Sequence, residues 1–198
     1  MVRTILPGTE TFERALDNVR RAVLRPEFLV DETPAPARLA PHAVALVAEP
    51  VADADITASG RFVLLHDPDG VDEWDGEFRC VIFVRFDMDP EVGTDPLLPQ
   101  VAWSWLVDAL TSALLVEGSL GGTVTCSTGV SFGTLSDRPH ETTVEIRASW
   151  TPAGTDDLGP QDTIAEHVLA WGQVLALGAG LPPVTPGVAD VASRRKRS

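Results

Sequence analysis

The chain of 198 residues is 44% hydrophobic and 22% charged, which is enough for one domain with a sizeable core and too little for two. Its acidic residues number 29 and its basic residues 15. Four of the basic residues lie together at 194–197, so the body without them holds eleven basic residues and a net charge of −18. Such a body repels nucleic acid and acidic membranes, and we do not expect direct binding to either.

The sequence also bounds the compartment. No apolar run near the N-terminus resembles a signal peptide, and the first long apolar stretch contains Pro99 and Asp108, which argues against a membrane span. We therefore expect a cytoplasmic protein. Cys80 and Cys126 lack the CxxC spacing and are interpreted as small apolar residues that stay reduced, with a redox pair as the alternative.

The first predicted elements are one helix and three strands. Residues 9–24 place apolar side chains on one face, which predicts an amphipathic helix. The proline-bearing segment 25–41 is predicted to cross the surface without regular structure. The runs 42–51, 60–67 and 77–89 are rich in β-branched and aromatic residues and predict three strands, of which the second and third form a hairpin.

The stretch from Pro99 to about Val116 predicts a central helix that is apolar nearly all round. Such a helix must be covered on two sides, so we expect it to pack on a sheet and also to touch another helix or another chain. One apolar stripe consists of Trp103, Leu106, Leu110, Ala113 and Leu114, and a second of Trp105, Ala109 and Val116.

Two further strands are predicted at 122–135 and 142–150, and a last amphipathic helix at 159–178. The element order α-β-β-β-α-β-β-α predicts an α+β domain with a five-stranded, mostly antiparallel sheet and three helices on one face. This domain is expected to span residues 1–180. The remaining residues, 181–198, bear prolines and a basic end, and they predict a disordered tail.

Two resemblances follow from these segments. The element order and the acidity resemble the small dimeric chaperones of type III secretion and related folds, a likeness that carries no functional residue across. The runs LLPQVAWSWLVDAL at 97–110 and EGSLGGTVT at 117–125 resemble an actinobacterial family, a domain of unknown function. That family resemblance implies no activity.

The acidic run HDPDGVDEWDGE at 66–77 could in principle gather oxygen ligands for calcium. It departs from the EF-hand pattern, because Asp69 is followed by Gly70 and Val71 instead of a third ligand, and the glutamate at the twelfth position is missing. We interpret the run as an exposed hairpin loop. Trp74 in its middle would either anchor a partner or fold back onto the core.

We assign no catalytic, cofactor-binding or metal-binding residue from the sequence. His66 and His140 lie at predicted strand ends and would form a metal or acid–base pair only if the fold joined them near Asp67 or Glu141. The glycine-rich run at 118–122 follows a helix and enters a strand, the reverse of the order in a phosphate-binding loop. It is predicted to end the helix and form a turn.

These observations predict a non-enzymatic, chaperone-like module that binds another protein, as a homodimer and without a cofactor. Its partner-binding residues would be Trp74 on the acidic loop and, in an apolar groove shared by the two subunits, Trp105, Ala109 and Val116. The acidic rim of that groove would receive a basic segment of the partner. The alternative is a small-molecule-binding domain or hydrolase with a pocket between the sheet and the central helix, walled by Trp103 or Trp105.

Overall fold

One sheet with helices on one face forms the body of the molecule. The computed structural model describes residues 8–35, 38–112, 116, 120–137, 140–155 and 157–182. Within them the strands are β1 (Phe28–Thr33), β2 (His42–Pro50), β3 (Ser59–Val71), β4 (Gly76–Met88), β5 (Gly121–Gly129) and β6 (Glu141–Trp150). The helices are α1 (Thr9–Arg21), α2 (Pro90–Gly93), α3 (Leu98–Ser112) and α4 (Ile164–Gly178), with short 3₁₀ helices at Gly133–Leu135 and Pro160–Asp162. Every strand pair is antiparallel, in the order β1-β2-β3-β4-β6-β5.

The α+β class and the antiparallel sheet are confirmed, but the predicted count of five strands is wrong. The sixth strand, β1, forms inside the segment 25–41, for which the sequence predicted no regular structure. It pairs along its whole length with β2, from Phe28 opposite Pro50 to Thr33 opposite Ala45. The prolines of the segment lie before and after β1 rather than within it, so no ladder N–H group is lost.

The predicted count of three helices is also wrong, because α2 adds a short fourth one. The Asp89 side chain caps its start by accepting a hydrogen bond from the Glu91 N–H at 2.8 Å. Pro90 occupies the first helical position, where a missing N–H costs nothing. The order of helices and strands is therefore α-β-β-β-β-α-α-β-β-α.

The core lies between the sheet and the helices α1, α3 and α4. Alternate residues of β4, from Phe78 to Phe86, are buried in it, as the alternation of that run predicts. On α4, Trp171 packs against Phe62 of β3 with ring centroids 5.9 Å apart. Gly60 permits this approach, because a Cβ at that position would lie 3.1 Å from Trp171 Nε1.

The central helix of the sequence, α3, packs against two other elements of the same chain. Leu106 and Leu110 are buried, and α3 packs on both α4 and β5. Trp103 lies over Gly122 of β5, where a Cβ would come within 2.8 Å of the indole ring. The predicted continuation of the helix through 113–115 lies outside the described residues.

The C-terminal tail, the domain boundary and the membrane were also the subject of predictions from the sequence. The predicted tail at 181–198 lies almost wholly outside the described residues, which end at 182. The single-domain boundary at 180 remains a prediction. No helix in the described ranges combines the length and the apolar character needed to cross a membrane.

Leu110→Ala is expected to lower the free energy of unfolding by about 2–4 kcal/mol, because the buried neighbours of this side chain cannot fill the space it leaves. Val101→Ala on the same helix is the control, since that side chain is 44% exposed and its truncation should cost less than about 0.5 kcal/mol. Urea unfolding of both variants at unchanged m-value measures the difference. Equal losses would contradict the burial of Leu110.

Candidate functional site

The face of the sheet that carries no helix holds a shallow groove of about 380 Å³. In the sheet register, Arg61 of β3, Phe83 of β4 and Arg147 of β6 stand side by side across three strands. Alternate strand residues project to opposite faces, and the adjacent Phe62 and Ile82 are buried on the helix side, so this row projects away from the helices. The groove is further lined by Val63, Val81, Ser149, Gly121 and Thr123.

Arg147 is the exposed arginine of the row, with 55% of its side chain accessible to solvent. Its guanidinium carbon lies 5.2 Å from the centroid of the Phe83 ring, a cation–π contact. Arg147 also donates a hydrogen bond to Glu145 Oε2 at 2.6 Å on its own strand. An exposed ion pair of this kind contributes only about 0–1 kcal/mol, so Arg147 can exchange Glu145 for another anion at little cost.

Arg61 is held on the other side of Phe83 by neutral groups. Its Nη2 donates to the Pro34 carbonyl at 3.0 Å and to Thr33 Oγ1 at 3.5 Å. Its Nε is buried without a hydrogen-bond partner, and no carboxylate of the described residues pairs with the side chain. A buried donor without an acceptor is unfavourable. Arg61 is therefore fixed in place while part of its donor capacity stays unused.

A third arginine, Arg79 of β4, lies further along the same face. It donates to Ser149 Oγ at 2.8 Å and to Thr151 Oγ1 at 3.1 Å. Burial lowers the pKa of Arg79, because the charged guanidinium loses hydration, and the neighbouring Cys80 opposes this in part. An arginine keeps its proton under such a shift. The face therefore carries a fixed positive charge beside the groove.

The groove is basic although the chain is acidic. Its lining contains two arginines and, among the residues that the structure describes, no acidic side chain, whereas the whole sequence carries a net charge of −14. Two acids of the same face are already engaged: Glu145 with Arg147, and Asp87 with Thr143, whose Oγ1 donates to it at 3.0 Å. A cleft lined by one sign of charge concentrates ions of the other sign. The groove therefore favours anionic groups.

Strand β5 borders the groove and forms one edge of the sheet. Its nine residues, GGTVTCSTG, include no charged residue and no proline, and most of them are exposed. Within the described part of the chain, β5 pairs with β6 alone. Native edge strands are usually protected by charges, prolines or covering segments. The opposite edge strand, β1, has such protection in Asp31, Glu32 and the Pro34 that follows it.

The chain after β5 contains the spacing GxSxG, as GVSFG at 129–133, which the sequence-based assignment missed. In a nucleophile elbow the serine stands on a strained turn between a strand and a helix. A serine in such a turn has a positive φ. Among the described non-glycine residues a positive φ occurs at Arg38 and Asp75, and Ser131 does not have one. A three-residue 3₁₀ helix follows in place of an α-helix. Ser131 is therefore not placed as an elbow nucleophile.

Trp74, the first of the predicted partner-binding residues, folds back onto the helix-free face. It lies half-buried against a small apolar cluster that is separate from the main core, formed by Ala45, Val63 and Leu65. Its backbone carbonyl accepts a hydrogen bond from the Thr151 hydroxyl. The contact is the fold-back that the sequence left open, and a partner-anchoring role for Trp74 remains a prediction.

The other three predicted partner-binding residues lie on the opposite side of the sheet, among the helices. Ala109 is buried, and the Trp105 ring is half-buried with its centroid 5.9 Å from that of Phe86. Val116 is half-buried and forms an isolated β-bridge with Pro152. The structure therefore does not bring these residues together with Trp74, and their predicted role in a homodimer remains a prediction.

His66 of β3 and His140, which precedes β6, lie beside opposite ends of β4. His66 is paired with Phe78 at the start of that strand, whereas Thr142, two residues after His140, is paired with Met88 at its end. At the usual rise per residue the two ends are about 30 Å apart. The two histidines therefore form neither a metal pair nor an acid–base pair.

Two histidines belong to the core and are neutral. His66 stacks on Phe78 at 4.3 Å and on His42 at 5.4 Å between ring centroids, and its pKa is lowered by burial first and by the charge of His42 second. His167 of α4 accepts a hydrogen bond from Trp150 Nε1 through Nδ1 at 3.0 Å, and burial lowers its pKa to about 3. The fold therefore favours the uncharged form of both groups.

The two cysteines are free and lie on different strands. In the sheet register Cys80 stands opposite Trp150 and Cys126 opposite Val144, so β6 separates them. Burial raises the pKa of both thiols, which keeps them protonated. Among the residues that the structure describes, no three His, Cys, Asp or Glu side chains are grouped in a way that could hold a metal ion.

Comparison with known families decides the membership of this chain. A family model described as "Protein of unknown function (DUF3000)" matches residues 8–189. The chain belongs to this family. No curated protein and no solved structure matches the sequence. The DUF3000 match includes every strand and helix of the structure, so the groove and the β5 edge are parts of the domain that defines the family.

The DUF3000 domain is expected to lose stability as the pH falls below about 6.5, the ordinary pKa of histidine. In that range the unfolded chain binds a proton on His167, whereas the folded chain, with a pKa of about 3 there, does not. His66 adds to the loss because its pKa is lowered too. His167→Gln should therefore reduce the slope of the unfolding free energy by up to about 1.4 kcal/mol per pH unit between about pH 6 and pH 4.

Urea unfolding of this variant at a series of pH values measures the slope. His140→Gln is the matched control, since that side chain is exposed and its replacement should leave the slope unchanged. An unaltered slope in His167→Gln would contradict the neutral, buried state of His167.

We also predict that the DUF3000 domain binds no metal tightly, because the acidic run at 66–77 breaks the calcium-loop pattern. Protein purified without chelator should contain less than stoichiometric zinc and calcium by elemental analysis. Millimolar calcium should leave the melting temperature unchanged in the parent and in Asp69→Asn alike. A calcium shift that Asp69→Asn abolishes would disprove the prediction.

Proposed function

We propose that the protein is a non-enzymatic binding module that holds an acidic, extended segment of another protein against the helix-free face of its sheet. The observation that supports this most directly is the row of Arg61, Phe83 and Arg147 in a groove without an acidic side chain among its described lining residues. Carboxylates pair with guanidinium groups through two parallel hydrogen bonds. A segment with carboxylates on both sides of Phe83 would use both arginines.

The partners that the two arginines have in the free protein support such an exchange. Arg147 is bonded to Glu145 in an exposed pair, which a ligand carboxylate replaces with little net loss. Among the described residues, Arg61 is hydrogen-bonded only to the neutral oxygens of Thr33 and Pro34. An incoming carboxylate would therefore give it an ionic partner that these residues do not provide. Phe83 between them offers an apolar surface for the stem of the ligand side chain.

Nucleic acid fits the same face less well than an acidic peptide. A nucleic acid strand carries a phosphate on every nucleotide, so beyond the groove it would run beside Asp31 and Asp87 on the same face. Charges act over about 8 Å at physiological salt, and the net charge of −14 therefore repels a long polyanion wherever arginines are absent. A peptide needs carboxylates only where the arginines lie.

The partner that the sequence alone suggested, a basic segment held in an apolar groove of a homodimer, remains a proposal with less support. Its residues Trp105 and Ala109 are half-buried and buried within the chain, which leaves little apolar surface for a partner. The alternative of a small-molecule pocket between the sheet and α3 is also less supported, since Leu106 and Leu110 are buried in that layer. The groove of the helix-free face is open and solvent-facing.

Arg147→Glu and Arg61→Glu are each expected to weaken the binding of a fluorescein-labelled, glutamate-rich peptide by at least about tenfold, which corresponds to about 1.4 kcal/mol. Fluorescence anisotropy measures the dissociation constant, and thermal melting confirms that each variant is folded. Arg21→Glu is the matched control, because it makes the same charge change at the exposed end of α1 and should alter binding little. Raising the ionic strength should weaken binding to the parent.

Two results would contradict the proposal. One is an equal loss in the Arg21→Glu control, which would mean that net charge alone governs the interaction. The other is tighter binding of a single-stranded oligonucleotide of the same charge than of the peptide, which would assign the face to nucleic acid.

A further inference from the structure

The edge of β5 offers main-chain hydrogen-bonding groups next to the groove. Alternate N–H and C=O groups of an edge strand point away from the sheet and are available to a neighbouring strand. At the start of β5, no atom of the described residues lies within 4 Å of the position where a Cβ on Gly121 would stand, so this face of the strand is uncrowded. In the plane of the sheet, β5 pairs with β6 alone among the described strands, so its outer edge can meet a second backbone.

A strand added beside β5 would place every second side chain on the helix-free face. There its neighbours would be Thr123 and Thr125 of β5, and Thr123 stands directly opposite Arg147 of β6. The added strand and β6 would be two strand spacings apart, about 10 Å. An extended glutamate and an extended arginine together span that distance, so acidic residues at these positions would reach Arg147.

The remaining side chains of an added strand would lie on the helix side. Their neighbours there would be Val124 and Cys126, both half-buried against the main core. Trp103, also half-buried, lies over Gly122 at the same edge. These groups form an apolar border, which apolar side chains of the added strand would extend.

We propose that the partner segment joins the sheet at β5 as a seventh strand and that its sequence alternates acidic and apolar residues, with the acidic ones on the face of Arg147. The acidic half of this pattern rests on the function proposed above. The strand pairing rests independently on the uncharged, exposed edge of β5. Main-chain hydrogen bonds would supply affinity, and the two kinds of side chain would fix the register.

A second copy of the chain is a poorer occupant of the same edge. If β5 paired with β5 of another molecule, the strand GGTVTCSTG would bring no carboxylate to Arg147 and only small side chains to the apolar border. The charge of the groove would then stay uncompensated. An acidic, alternating segment satisfies both sides of the edge, and a second copy satisfies neither.

Labelled peptides as long as β5 test the pairing. One alternates glutamate and valine, a second has the same composition with the glutamates in one block, and a third is the alternating peptide with every second backbone nitrogen methylated. The alternating peptide should bind at least about tenfold more tightly than the other two. Only this peptide has glutamates on one face of the strand, valines on the other and all its backbone N–H groups available for pairing. Hydrogen exchange should show new protection of β5 amides in its complex.

Proline substitutions at Val124 and Thr125 test the same contact from the protein side. The N–H groups of adjacent strand residues point in opposite directions, so one of the two variants loses a bond to β6 and the other loses a bond to the ligand. The variant with the smaller change in melting temperature is the informative one. It should lose the preference for the alternating peptide while Ser127→Ala keeps it.

Equal affinities for the three peptides would overturn the strand addition. If that common binding still depended on Arg61 and Arg147, the function proposed above would stand; if no peptide bound, both would fall. Sedimentation that shows a dimer of the parent and a monomer of the informative proline variant would also overturn the proposal, because it would assign the β5 edge to a second copy.

Discussion

The burial of α3 and α4 on one face of the sheet is the constraint on which the rest of the structure depends. Ten of the fifteen residues of α4 are buried, more than a single contact with a sheet can cover. The helix therefore needs a second apolar neighbour, and α3 lies beside it and contacts it. Placing both helices on the same side leaves the other face of the sheet without a helix. The residues of that face must then remain compatible with water.

Arginine meets this requirement in a way that other residues would not. Its apolar stem can lie along a flat sheet while its charged end stays hydrated. Arg61 and Arg147 flank Phe83 in the sheet register, and the guanidinium of Arg147 lies over its ring. The same side chains that make an uncovered sheet tolerable in water thus create a basic surface on an acidic molecule. The proposed binding site and the solubility of this face have a common physical origin.

Sequence reasoning found the parts of the fold that repeat locally. The alternation of β4 and the apolar character of α3 are visible within one stretch of chain. β4 forms where it was predicted, whereas α3 begins as predicted but does not include Val116, which forms a β-bridge. The strand β1 was missed because prolines lie on its two sides and its sequence, FLVDET, has no apolar–polar alternation to indicate a strand. The groove was not predicted, since positions 61, 83 and 147 are distant in sequence and only strand pairing brings them together. A usable signal was the recurrence of arginine at outward-facing strand positions.

The chain order of the sheet has a consequence for how the protein is made. The meander β1 to β4 leaves the ribosome before α3 and α4, and its strands pair with sequence neighbours, so they can form as soon as they emerge. The face that ends up in the core lacks its cover of α3 and α4 at that stage, since Trp171, which packs on Phe62, belongs to α4. Synthesis therefore passes through a nascent state with an open apolar sheet. Premature termination before α4 would release that state, a substrate for holding chaperones and proteases.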